Sequence, residues 1–565
     1  MSPTLVLQVG LGLATVIYVF ARIAHAQVAT KSLVRGLPGP PKESYRFGHL
    51  RRLYDPNGMK WHHQLNRLYG GVAQINGTFG DEQLYVTDPL ALHTICSREV
   101  ENFEETSIFV KGNSLIFGNG LLSTTGEVHK KQRKMLNPIF STSHMRDITP
   151  IFYTVVQHLV DLIATDVDNA APLNSSFKPA ATIDMLDMMM RTALEGVGQC
   201  GLGHSFGTLD ANVEGSSSFR AALRNLIPTI FSLQVLRQAF LPIALKIGTP
   251  AFRKFLVDIV PSKRLHRLRD IVEVMRKTNA DILEKKNAAF ARGDRKVLEQ
   301  VGHGRDIISV LLRAQDEYSV EDRMSPAEVL SHMTTLVFTS HDTTSSTMSH
   351  ILYFLAQYPD VQDKLRKEIR SAKDAWYREH GTRNIDYDAL SEQLPFLEMV
   401  IRETLRVDAP VSFMSRTAQR ATVLPLANPI ALADGRQVSE VPVAANQNII
   451  IGIASVDRDP RFWGLDSDEW KPERWANGVP VCAAESKIPG IYAGQMSFLG
   501  GGRACIGYRF AHLEIKIVIS MLLDQFAFEP IKTETVKWKL ANIQMPWVEG
   551  KESQGPMMPM VVKRI

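Results

Sequence analysis

The sequence predicts a mainly α-helical fold with a small β-rich subdomain, set behind a single N-terminal transmembrane helix. Three observations predict it. Apolar residues recur three and four apart from about Ile148 to Leu283, the spacing that gathers them on one face of a helix. Short runs rich in β-branched and aromatic residues, Gln83 to Thr87 and Asn448 to Ile453, are strand-like and lie near the two ends of the chain. Leu5 to Ala21 is apolar apart from Gln8 and Thr15, and as a helix it would span roughly 25 Å, close to a bilayer core.

A chain of 565 residues with 45% hydrophobic residues can bury a large core. No linker, repeat or low-complexity tract divides it after about residue 45. The expected organisation is an anchor at 1–24, a Pro-rich hinge at 25–45 and one large domain at 46–565. Cys96, Cys200, Cys482 and Cys505 are the only cysteines and show no CxxC spacing, which argues against a disulfide-built secreted protein. The net charge is +5, with no Lys/Arg array interleaved with aromatics, so nucleic acid is not an expected partner.

At the N-terminus, a cleaved signal peptide competes with an anchor. No Lys or Arg precedes the apolar run, whereas Arg22, Lys31 and Arg35 follow it. That asymmetry predicts an anchor with the body in the cytosol. Leu37-Pro-Gly-Pro-Pro41 cannot continue a helix and reads as a stiff extended spacer. Asn76-Gly-Thr78 and Asn174-Ser-Ser176 match the glycosylation sequon, which a cytosolic body leaves unused.

Within the body, Gly126 to Lys134 (GEVHKKQRK) is a basic helix on which His129 and Arg133 share a face, with Lys130, Lys131 and Lys134 to the side and outward. Lys285 to Asp306 is polar and carries Gly293, Gly302 and Gly304, which predicts an exposed loop with frayed helix ends. Ser325-Pro-Ala-Glu328 combines an N-cap, Pro at the first helical position and a capping-box Glu. The helix it starts runs to about Gln357. Its middle, Thr339 to Thr347, crowds hydroxyls between apolar flanks. Such hydroxyls either bond back to the carbonyl four residues earlier or face a polar cavity. Glu403 and Arg406, three apart, share a helix face.

Phe498-Leu-Gly-Gly-Gly-Arg503-Ala-Cys505-Ile-Gly507 places a cysteine at the mouth of an apolar helix running from Tyr508 to about Phe526. The positive end of that helix favours a thiolate, the form that binds a soft or borderline metal. Gly500, Gly501, Gly502 and Gly507 allow a sharp turn that brings amide N–H groups to the sulfur.

The complete spacing Phe-x-x-Gly-x-Arg-x-Cys-x-Gly resembles the haem-binding loop of the cytochrome P450 family. Pro472-Glu-Arg474-Trp475, Glu403-x-x-Arg406 and the Asp342-Thr343 region occur in that family's order, and the wording of several segments resembles fungal, microsomal-type members. The resemblance implies a P450-like fold and haem b (iron protoporphyrin IX) with Cys505 as the axial iron ligand and Phe498 beside it. It implies cofactor carboxylates held by Arg133, Arg416, Arg503 and His129, the last in place of the usual Trp. Asp342 and Thr343 match the acid and alcohol that deliver protons, while Thr339 and Ser340 depart from the usual Ala-Gly pair. Glu403, Arg406 and Arg474 match a buried structural triad. The substrate segments supply Phe109, Phe117, Thr339, Val411, Phe413 and Met545.

The implied activity is insertion of one oxygen atom from O2 into a lipophilic substrate, a terpenoid or other secondary metabolite, with fatty acids and xenobiotics as alternatives. Electrons would come from a separate NADPH-cytochrome P450 reductase, with cytochrome b5 as a further donor, docking on the outward lysines. The implied location is the endoplasmic reticulum membrane, single-pass, with a cytosolic catalytic domain that meets membrane lipid. Two rivals remain at this level: a thiolate-haem isomerase or dehydratase, and a non-catalytic haem-binding membrane protein. Asp342-Thr343 argues against the first; Thr339-Ser340 leaves the second open.

Overall fold

The computed structural model describes residues 31–170, 179–210, 217–293, 304–314 and 323–565, besides Thr15 and Val19. The expected anchor at 5–21 and the sequon at 174–176 lie outside the described residues, the isolated Thr15 and Val19 aside. The helices that build the central cavity and its surroundings are, in chain order, α1 Ser107–Phe117, α2 Gly126–Leu136, α3 Thr142–Ala170, α4 Met185–Gly196, α5 Gln234–Ala244 and α6 Pro250–Ile259. They continue with α7 Lys263–Ala291, α8 Ile307–Ala314, α9 Pro326–Gln357, α10 Pro395–Val407 and α11 Tyr508–Gln525. The strands are β1 Val72–Asn76, β2 Glu82–Val86, β3 Phe103–Glu105, β4 Ala180–Asp184, β5 Met414–Ala418 and β6 Thr422–Ala431. After these come β7 Gln437–Val443, β8 Asn448–Ile451, β9 Phe526–Pro530, β10 Val536–Ala541, β11 Ile543–Val548 and β12 Pro559–Arg564.

The main sheet has the order β1-β2-β8-β5-β3, with β2 and β8 parallel and the other neighbours antiparallel. Register in the β3–β5 pair sets Glu105 opposite Arg416, so the two side chains share a face and can pair. The strand expected at Asn448–Ile453 stops at Ile451, and Ile453–Val456 turns into a short helix.

The largest apolar core lies between α3, α4, α9 and α11. α9 starts as its sequence demands: Ser325 Oγ accepts from the Glu328 amide at 3.3 Å while the Glu328 carboxylate accepts from the Ser325 amide at 2.9 Å. Among the described residues, α3 is long and apolar enough to cross a membrane. Its apolar side is filled by the core instead, with Ile148, Phe152, Val156, Leu159 and Ile163 fully buried.

One expectation is extended and one changes. The Pro-rich segment, expected as a stiff extended spacer, is also docked on the body: the Gln74 amide on β1 donates to the Pro38 carbonyl at 2.8 Å, and the Ala433 amide to the Gly36 carbonyl at 2.7 Å. The backbone is so close that a Cβ on Gly39 would lie 2.1 Å from the Gln74 carbonyl oxygen. The stretch from Lys285 is not an exposed loop at its ends. α7 continues to Ala291, and Lys286 and Asp306 are both buried, joined by two Nζ–carboxylate contacts of 3.0 Å.

Candidate active site

The loop before α11 is shaped by contacts with the segment around Cys96. Gly501 has φ +66°, and a Cβ there would fall 1.6 Å from the Cys96 carbonyl oxygen. Gly500 is equally confined, its would-be Cβ 1.9 Å from the Pro489 carbonyl oxygen. Gly502 and Gly507 are not: a Cβ on either meets only ordinary contacts, at 3.4 Å and 3.6 Å. The turn therefore rests on the first two glycines, and Gly507 serves through its amide, which donates to the Cys505 sulfur.

Cys505 lines a cavity of about 310 Å³. Cys505 is exposed as a residue, although protein encloses the sulfur. Removal from bulk water raises the thiol pKa, and the Gly507 amide and the Arg133 guanidinium only partly oppose this. The amide donors expected at the sulfur from sequence come down to that of Gly507, and burial outweighs it; a bound metal would favour the deprotonated form.

One edge of the cavity is cationic. Arg133 on α2 donates to the Ala504 carbonyl at 2.7 Å and, among the described residues, has no carboxylate partner. Arg503 bonds the Thr124 carbonyl at 3.0 Å and the Glu104 carboxylate at 2.6 Å. Arg416 bonds Glu105 at 2.9 Å. His129 lies among them, and burial first, then Arg503, Arg133 and Arg416, lowers its pKa to about 3. It is a neutral donor in a positive field. The sequence placed three arginines at cofactor carboxylates; the structure shows that two of them also hold carboxylates of β3. Arg133, Arg503 and His129 line the cavity, while Arg416, 2% exposed, lies outside the lining; three guanidiniums and a neutral imidazole against two glutamates still leave this region net positive. With a thiol on the wall and a mostly apolar lining, this fits a flat apolar group bearing acidic substituents on one side.

The sequence model for cytochrome P450 matches residues 38–549. The chain belongs to the cytochrome P450 family. Cytochrome P450 monooxygenase 91 of Postia placenta is 44% identical over 529 residues, 94% of each chain. Cytochrome P450 monooxygenase 212 of the same fungus is 39% identical over 530 residues, 94% of this chain and 93% of its own. A ganoderic acid synthetase of Ganoderma lucidum is 33% identical over 550 residues, 97% of each chain. The protein is thus a cytochrome P450 monooxygenase, and haem b is the cofactor of its family.

The P450 cavity takes another wall from α9. Thr335, Thr339, Thr343 and Thr347, four apart, all line it. Thr347 donates to the Thr343 carbonyl at 3.0 Å, Thr343 to Thr339 at 2.6 Å and Thr339 to Thr335 at 2.8 Å. Both sequence alternatives therefore hold at once: the hydroxyls bond back along the helix while their residues face the cavity. Ser340 also lines it, and its hydroxyl makes no hydrogen bond to any described residue. Asp342 is fully buried and outside the cavity lining. One carboxylate oxygen meets His341 Nδ1 at 3.0 Å, and the other has no partner.

Glu403, Arg406 and Arg474 are brought together. Arg406 grips Glu403 through Nε at 2.9 Å and Nη2 at 2.8 Å, and Arg474 Nε reaches it at 3.1 Å. The Trp475 indole and the Lys471 amide complete the shell at 2.9 Å and 3.0 Å. Every side of the carboxylate is paired, which lets a charge survive burial.

Of the expected pocket residues, Phe109, Thr339 and Val411 line the cavity, as does Phe498. Phe117, Phe413 and Met545 do not. Phe117 stacks on Phe338 with centroids 4.6 Å apart and fills the space between α1 and α9. Phe413 precedes cavity-lining Met414 on extended chain, where neighbours point opposite ways, and it stacks on His62 at 5.0 Å. Met545 is buried in the core. Sequence reading missed His332 and Thr335; the four-residue threonine spacing was a visible signal for Thr335, and His332 had none.

Proposed function

We propose that this P450 hydroxylates a lipophilic organic molecule, a terpenoid or other secondary metabolite, in the endoplasmic reticulum membrane. One oxygen atom of O2 enters a C–H bond and the other leaves as water. The two electrons come from NADPH through a separate reductase, with cytochrome b5 as a further donor. The observation that carries the reading is the shared cavity of Cys505 and Thr343, apolar over most of its wall. Likeness to a ganoderic acid synthetase supports the substrate class.

Haem b, when bound, supplies the iron at which O2 is reduced. Cys505 would ligate it, with the Gly507 amide holding the sulfur in place. Arg133, His129 and Arg503 would hold its acidic edge, with Arg416 beside them. Thr343 keeps a hydroxyl at the cavity wall, and Asp342 keeps a buried oxygen free to take a water or proton. The apolar lining excludes bulk water from the reacting carbon.

Membrane attachment rests on Leu5–Ala21 and on α6. No residue of α6 is buried, and Phe252, Phe255 and Ile259 are 45%, 56% and 52% exposed, an apolar face that suits a lipid surface. Residues 46–565 act as the catalytic domain on the cytosolic side, and the α2 lysines receive the acidic donor.

The test is the reduced protein under carbon monoxide, followed by NADPH consumption and product analysis with a reductase. Cys505→Ala must lose the thiolate-type carbon monoxide spectrum. A correctly ligated protein that never yields oxygenated product from any lipophilic candidate would overturn the monooxygenase assignment of this cavity.

A further inference from the structure

Among the cavity-lining side chains left without a hydrogen-bond partner, Thr344 among them, two stand side by side at one end. His332 and Thr335 sit three residues apart on α9, on one helix face, and both line the cavity. His332 is 5% exposed and Thr335 8% exposed, yet His332 Nε2 and Thr335 Oγ1 have no hydrogen-bond partner. Their neighbours behave differently. Ser331, Thr334, Thr339, Thr343 and Thr347 each donate to the carbonyl four residues earlier, at 2.6 to 3.0 Å. Thr335 is the member of the threonine row whose hydroxyl is left over. An orphaned buried donor or acceptor costs about 1–3 kcal/mol, so a pair of them on a cavity wall is unfavourable unless a ligand satisfies it.

We propose that His332 and Thr335 form a two-point anchor for one neutral oxygen, a hydroxyl or a ketone, on an otherwise lipophilic substrate. The anchor recognises no formal charge. Burial lowers the His332 pKa to about 4, against the opposing pull of Glu328, so the imidazole is neutral near pH 7 and offers one donor and one acceptor. Thr335 adds a hydroxyl of either role. An alcohol or carbonyl oxygen matches that set; a carboxylate or ammonium does not.

The helix also gives a ruler. Thr335 and His332 precede Thr343 by eight and eleven residues on α9, about 12 to 16 Å along the axis. A substrate held by the anchor and oxidised beside Thr343 must span that length. The site of oxidation then lies far from the anchored oxygen, at the opposite end of a long chain or fused-ring skeleton. The substrate already carries an oxygen, so an earlier oxygenation, or a cyclisation that leaves an alcohol, must supply it. This inference rests on the monooxygenase reading for the ruler, and on the cavity alone for the anchor.

The test is ligand titration of the haem-loaded full-length protein, read by the Soret shift, with pairs that differ by one oxygen. The probes are octadecan-1-ol against octadecane, 5α-cholestan-3β-ol against 5α-cholestane, and β-amyrin against its 3-deoxy analogue. In at least one pair the alcohol should bind about tenfold more tightly. His332→Phe and Thr335→Val should each cut that ratio several-fold, leave the hydrocarbon's Kd unchanged and keep the carbon monoxide spectrum. Thr335→Ser should restore the preference. Equal binding of alcohol and hydrocarbon in all three pairs, alcohols that do not bind, or a ratio untouched by both substitutions overturns the anchor. Titration needs no reductase, so a failed turnover reading leaves the anchor standing. Where turnover occurs, oxidation within about 8 Å of the anchored oxygen refutes the ruler.

Discussion

Replacing Asp306 with Asn should destabilise this protein more than any surface substitution, and the structure gives the size. Lys286 at the end of α7 is 2% exposed and Asp306, which caps α8, is fully buried. Lys286 Nζ meets both Asp306 oxygens at 3.0 Å and Ser309 Oγ at 2.8 Å. Asp306 also accepts from the Ser309 amide at 2.9 Å and the Ser309 hydroxyl at 2.7 Å. Gly203 closes the site, because a Cβ there would sit 2.5 Å from Asp306 Oδ2 and 2.7 Å from Lys286 Nζ. Asn would preserve shape and the cap but leave an ammonium buried without a counter-charge, a loss of about 3–5 kcal/mol. Lys286→Met removes the charge that needs pairing and leaves a carboxylate still held by two donors, so it should cost about half as much. The double variant carries no buried charge at this site and should recover about 2 kcal/mol relative to the sum of the single changes. Urea unfolding of the four proteins, followed by helical ellipticity, measures this cycle. Strictly additive single effects, or an Asp306→Asn cost under about 1 kcal/mol, would refute the reasoning. Ile307 and Ile308, the next two residues, line the cavity. Asp306→Asn should therefore weaken lipophilic ligands as well.

Gly501→Ala should abolish haem incorporation, since its Cβ has no room beside Cys96 and φ +66° strains any L side chain; Gly502→Ala should be tolerated, and absorbance of the purified proteins separates the two. Glu403→Gln removes the carboxylate shared by Arg406 and Arg474 and should cost about 3 kcal/mol in urea unfolding. Charge-free Leu substitution of an exposed pair such as Lys537–Glu549 should change stability by less than about 1 kcal/mol. Acid should destabilise the fold through His62, whose pKa falls from 6.5 to about 4 on burial. The unfolded chain binds that proton below pH 6.5 and the folded one only near pH 4, so stability is complete above 6.5 and declines between the two values, by about 3 kcal/mol for this residue. His62→Gln should flatten that part of the pH profile; an unchanged slope would contradict the burial argument.

What could be read from sequence, and what could not, divides by the distance over which the determining contact acts. The capping box at Ser325 and the Glu403–Arg406 grip are made within a few residues, and spacing alone specifies them; the glycines of the turn at Gly501 were visible too, but the Cys96 carbonyl that confines Gly501 comes from about 400 residues away. Arg474 joins that grip from 71 residues away, so its membership came only through family resemblance. The arginines near Cys505 show where local reading ends. Their positions were legible, but the glutamates that hold Arg416 and Arg503 lie 311 and 399 residues away. Nothing in the neighbourhood of either arginine announces them; only the β3–β5 register makes Glu105 the partner of Arg416. The same limit explains Lys286, whose polar surroundings suggested solvent until α8 folded over it. It also explains Phe117 and Phe413, where the right segment was chosen but side-chain direction was set by Phe338 and His62. A bulky apolar residue near a cavity is drawn equally to the cavity and to any aromatic face within reach, and tertiary packing decides. His332 is the reverse case. A single histidine in an apolar helix carries no pattern, and only the failure of every neighbour to bond it marks it as available to a ligand.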